Sequence, residues 1–143
     1  MCLVRFSKYS EWAPFVLRLS LGIVLAWHGY AKLTGEGGIG AVGQFFAGIG
    51  IPAAGFFAVV VTFLELIGGI GLMLGMFTRY FSALLAIQFA YIVLGSLFTN
   101  KPKPSFIGGF EFDFLILAVA IALLLVGNGK KLSVEQLLLK KEL

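Results

Sequence analysis

One carboxylic acid, Glu65, interrupts an otherwise apolar run from Ala54 to Met76. At ~1.5 Å per residue that run is long enough to cross a hydrocarbon layer of ~30 Å. Read at ~100° per residue, Ala54, Ala58, Val61, Thr62, Glu65, Gly68, Gly69 and Leu72 share one side. Phe56, Val60, Phe63, Leu64, Ile67, Ile70 and Leu74 occupy the other. Lipid cannot solvate a carboxyl group, so Glu65 is expected to face inward, and the small residues around it let a neighbouring helix approach closely. Acids at membrane depth serve ligand binding and proton handling, or they tie helices together.

The other ionisable groups fall on elements that can meet this acid. Trp12 to Leu33 reads as an uncleaved membrane helix, with Trp12 at the interface and Pro14 in the first turn. Arg18, Gly22, Leu25, Gly29 and Lys32 lie within ~40° of one line along it, and His28 stands beside that line. Arg18 and Lys32 either snorkel to the interface or pair inside a bundle. If the first two spans are antiparallel neighbours, an Arg18–Glu65 pair is within reach. Glu111 and Asp113 open a later apolar helix, where the helix dipole favours acids and capping alone would explain them. Gln88, inside another span, reads as an interhelical hydrogen bond rather than a ligand.

Hydrophobic residues make up 59% of the 143 positions and charged residues 13%. Together with a mean hydropathy of +1.00, this excludes an ordinary soluble domain and implies a core completed by lipid. The net charge of +4 comes from basic residues scattered between and beyond apolar segments, which excludes a nucleic-acid-binding patch. A single cysteine, Cys2, and a single histidine, His28, permit no intramolecular disulfide, C-x-x-C pair, iron–sulfur cluster or bis-His haem within one chain. No metal or haem is therefore expected. Two G-x-G-x-x-G matches, Gly35–Gly40 and Gly38–Gly43, follow no strand, so no nucleotide site is expected either.

The pattern predicts one all-α membrane domain, a four-transmembrane-helix bundle with spans at about 12–33, 52–76, 80–98 and 111–126. A short helix over Val42 to Ala47 is expected in the glycine-rich first outer loop. Pro52 suits the start of the second span. Lys101, Pro102, Lys103 and Pro104 break the chain before the fourth span. After Gly127-Asn128-Gly129, Ser133 and Gln136 have capping-box spacing ahead of Leu137, predicting a short amphipathic cytoplasmic helix at the membrane surface. Four spans put both termini on one side, with Arg5, Lys8, Arg79, Lys130, Lys131, Lys140 and Lys141. Only Lys32, Lys101 and Lys103 lie opposite, so both termini are expected in the cytoplasm.

In this order and spacing, the sequence resembles the DoxX family of small four-helix membrane proteins. The likeness runs from about Phe15 to Glu135. It rests on Arg18-Leu19-Ser20-Leu21-Gly22, His28-Gly29 with Lys32-Leu33, and Phe45-Phe46 ahead of Gly50-Ile51-Pro52. It continues through Glu65 with Gly68-Gly69, Gly75 with Thr78-Arg79, Gly108-Gly109 with Glu111, and Gly127-Asn128-Gly129 with Ser133. Where family members often carry Ser, an aliphatic residue and Asp near the end, this chain has Ser133-Val134-Glu135. The resemblance implies a plasma-membrane protein linked to quinone-dependent redox chemistry, of the kind associated with quinol oxidase and thiosulfate:quinone oxidoreductase.

The leading expectation is an integral plasma-membrane subunit of a quinone-linked oxidoreductase system. Arg18, His28, Lys32, Glu65 and Glu111 would line a polar pocket for a quinone-like head group. Its partners would be the bilayer and other membrane or peripheral oxidoreductase subunits, or further copies of itself. The alternative is a non-catalytic scaffold or assembly factor for a redox or stress-response complex, its charges fixing helix register. A transporter of protons or small molecules is a third class, against which the absence of inverted repeats with broken helices counts.

Overall fold

A computed structural model describes residues 9–98, 110–129 and 131–139. Its helices are α1 (Ala13–Thr34), α2 (Gly38–Gly48), α3 (Ala54–Leu74), α4 (Thr78–Phe98), α5 (Glu111–Val126) and α6 (Val134–Leu139). No strand occurs among the described residues. Three helices are long and apolar enough to cross a membrane: α1 with the turn before it, α3 and α4. With 16 residues, α5 reaches ~24 Å. The lysines of the second loop, together with Arg5, Lys8, Lys130, Lys140 and Lys141, lie outside the described residues.

The boundaries follow local backbone chemistry. Pro14 takes the first turn of α1, where its missing amide hydrogen costs nothing. The second long helix is shorter at both ends than the expected span of 52–76. Ala53, with φ of 50°, holds the chain out of the helix after Pro52, and Gly75, with φ of 67°, ends it. There the Met76 amide bonds the Gly71 carbonyl at 2.8 Å, a glycine-dependent closure. The turn is so short that α4 starts at Thr78 rather than Tyr80. Despite its glycines, α2 extends well beyond Val42–Ala47 and lies on the start of α3, with Gly43 against Gly55 and Ala58.

The tightest seam joins α1 to α3. A Cβ on Gly22 would meet the Gly69 carbonyl oxygen at 2.6 Å, and one on Gly69 would meet the Ala26 amide at 2.5 Å. One turn further on, Gly29 lies against the backbone of Leu66. Between helices in lipid, where burial of apolar area drives little, such backbone approach supplies the packing attraction. Leu21, Leu25, Leu72, Leu85, Phe89 and Leu123 fill the centre between α1, α3, α4 and α5. Ile87, Tyr91 and Leu125 are among the many large apolar side chains left facing outward, as expected where lipid completes the core.

Candidate functional site

The structure divides the polar groups between the two ends of the bundle. At the end where α1 finishes and α5 begins, Glu65 is the hub. Its side chain is 2% exposed, against 28% for Lys32, whose ammonium donates to Oε2. Gln88 Nε2 donates to Oε1 at 2.6 Å. One carboxylate thus joins α1, α3 and α4, and Gln88 makes the interhelical bond expected of it. Asp113 on α5 stands within electrostatic range of Glu65, His28 and Lys32. Half-buried His28 packs its ring on Phe112, with centroids 5.6 Å apart. Glu111, also half-buried in the first turn of α5, has an interaction of its own. Gln88 Oε1 is buried without a hydrogen-bond partner among the described residues.

The expected Arg18–Glu65 pair does not form. Arg18 is fully buried at the opposite end, where Nη1 donates to Asn128 Oδ1 at 3.2 Å. Nη2 donates to the carbonyls of Lys131, at 2.7 Å, and Leu132. The same asparagine oxygen accepts from Thr78 Oγ1, while its nitrogen donates to Glu135 and to the Gly75 carbonyl at 2.9 Å. Ser133 Oγ donates to that carbonyl too, at 3.0 Å. A buried guanidinium needs several acceptors, and the open carbonyls of the chain after α5 are nearer than Glu65. The connection is feasible because residue 75 is glycine: a Cβ there would lie 1.5 Å from Arg18 Nη1.

This arrangement also corrects the reading of the tail. The six-residue α6 does not begin as a freely lying surface segment, because Ser133 and Glu135 are buried in the Arg18 network. Lys131 adds an outer clasp, 3.5 Å from Glu11 and with its ammonium 5.9 Å from the Trp12 ring centroid.

Residues 13–101 match the family model described as DoxX. The chain is also 38% identical, over 123 residues, to the Bacillus subtilis (strain 168) protein named "Putative oxidoreductase CatD". That likeness covers 85% of this chain and 84% of the relative. The chain belongs to the DoxX family. No solved structure matches it.

Arg18, His28, Lys32, Glu65 and Gln88 all fall within the part matched to the DoxX model, whereas Asp113, Asn128 and Glu135 lie beyond it. Sequence reasoning missed the convergence of Arg18, Thr78 and Glu135 on Asn128. Asn128 reads as one more helix-ending residue between two glycines, yet Gly127 and Gly129, with φ of 76° and 68°, turn the chain so that the asparagine enters the bundle. A signal was present in the motif itself: Gly75, Thr78, Asn128 and Ser133 all belong to the elements that carry the DoxX resemblance.

Proposed function

We propose that this DoxX-family protein is an integral plasma-membrane subunit of a quinone-linked oxidoreductase system. In this reading the chain is a single four-span unit, with α5 as the fourth crossing and both termini in the cytoplasm. The Lys32–Glu65–Gln88 cluster, with His28, Asp113 and Glu111 around it, receives the polar head group. Arg18 has no place in that pocket.

The observation that carries the reading is a buried carboxylate shared by a lysine and a glutamine from two other helices. Around it stand further titratable groups, with Asp113 in the field of Glu65, His28 and Lys32. The residues fit a quinone in kind. Lys32 and His28 offer donors to a carbonyl oxygen, and Gln88 Oε1 is an acceptor without a partner among the described residues. A bound quinone would supply two-electron, two-proton chemistry, the electrons coming from a partner subunit. Lys32 holds the charge of Glu65 in place, Gln88 fixes the direction of its carboxylate, and Glu65 and Asp113 hold or pass protons. The name of the Bacillus relative, "Putative oxidoreductase CatD", agrees with redox work.

The test is extraction of lipids from protein purified in mild detergent, followed by titration with added quinone. Co-purifying quinone, or saturable binding weakened by Glu65→Gln, supports the proposal. Neither in a folded preparation overturns it. The scaffold reading draws on the Glu65 bonds, which tie three helices without any ligand. It gains if Glu65→Gln and His28→Ala leave cellular function intact.

A further inference from the structure

The seams of the bundle are unequal. Glycine contacts close α1 on α3, but α1 meets α5 far less closely. Between these two helices an open groove of about 140 Å³ remains. That is about ten times the smallest space that holds a water molecule. Its walls are Leu17, Leu21 and Val24 on α1 and Phe112, Ile116 and Val119 on α5, with Ser20 and Leu115 at the lips. Leu17 to Val24 covers ~10 Å along α1. An isolated apolar slot of this kind would hold only bilayer chains, but this one is not isolated. Phe112 closes its upper end, and the same ring packs on His28. Asp113, the next residue, stands in the field of Glu65 and Lys32. The groove therefore leads from the apolar exterior to the polar cluster with one aromatic ring between them.

We propose that the α1/α5 groove seats the apolar tail of a lipid-soluble, ring-headed ligand and is its sideways entrance, with Phe112 at the threshold of the polar cluster. The inference rests on the quinone reading and names the part of the ligand that reading leaves out. The match is in the order of chemistry along one path: apolar walls, then a flat aromatic surface, then donors and acids. A phospholipid matches it less well, because its head stays at the membrane surface while this path ends at a carboxylate that is 2% exposed. The tail leaves one apolar medium for another, so its gain comes from contact with the walls rather than from escape from water.

The experiment uses the full chain in nanodiscs of synthetic phosphatidylcholine without quinone. Two probes are compared at equal mole fraction in the disc: a naphthoquinone with an isoprenoid tail and 2-methyl-1,4-naphthoquinone, which has none. Quenching of Trp27, exposed on α1 beside His28, reports binding. The tailed probe is expected to bind about fivefold tighter or more. Ser20→Phe and Val119→Phe, which fill the groove, should bring its affinity down to that of the tailless probe. Unchanged binding of the tailless probe serves as the check that each variant is folded. If both filled variants bind the tailed probe as the wild type does, the groove belongs to bilayer lipid or to a second copy, and this inference falls while the quinone reading stands. If neither probe binds the wild type, the quinone reading falls and takes the inference with it.

Discussion

Removing one partner of the Lys32–Glu65 pair should have a very different effect from removing the other. Lys32 is near the end of α1 with 28% of its side chain exposed, so once Glu65 is neutralised its ammonium has a route to the interface. Glu65→Gln retains an oxygen for the Gln88 amide and is expected to cost about 1 kcal/mol or less, the range for a pair with one solvated member. Lys32→Met leaves a carboxylate that is 2% exposed without its cation, deep between three helices. Breaking a buried pair in that way costs about 3–5 kcal/mol. The double variant Lys32→Met/Glu65→Gln leaves no uncompensated charge, so it should recover most of the loss and show a coupling of about 2–4 kcal/mol. Unfolding in mixed micelles, followed through Trp12 and Trp27, gives all four corners of the cycle. Equal losses for the two single variants, or a larger loss for Glu65→Gln, would refute the burial argument.

Two further outcomes test how the bundle is held. Arg18→Ala removes the donor that grips two tail carbonyls and Asn128, so it should lower stability by about 3 kcal/mol and speed tryptic cleavage at Lys131, while Arg79→Ala, at an exposed position, should do neither. Gly69→Leu drives a side chain into the backbone of α1 and should abolish a stable fold in detergent, whereas Ile70→Leu, 46% exposed on the outer side of α3, should change stability by about 0.5 kcal/mol or less.

The long helices were legible because their signal is length and apolarity, and the inward aim of Glu65 was legible because lipid leaves a carboxyl group no other favourable direction. The glycine seam could be read from Gly22, Gly29 and Gly69 as small residues on inward faces, although the exact partner helix could not. The partner of Arg18 was not legible. Helical periodicity places Arg18 and Lys32 on one stripe but carries no information about what a loop after α5 folds back to offer, and backbone carbonyls leave no trace in a sequence. Helix ends were misplaced for a related reason. Ala53 adopts a positive φ that nothing in its side chain announces, and the turn at Gly75 is tight enough for α4 to begin at Thr78 rather than at the expected residue 80.

The basic stripe of α1 thus serves two sites that lie ~21 Å apart along the helix, from Arg18 to Lys32. Both fasten α1: Arg18 to the chain after α5, Lys32 to α3, and the glycine contacts between them close the length of the α1/α3 seam. A ligand arriving from the bilayer, as proposed, would therefore meet a first helix fastened along its length. The opposite wall is different, since α5 touches α1 loosely and presents Phe112, 43% exposed, at the approach to the cluster. Rotation of that one ring costs far less than parting backbones in contact through glycine. If the polar cluster admits a head group, the motion that admits it belongs to Phe112 and the start of α5, with α1 and α3 as the fixed wall against which the head is held.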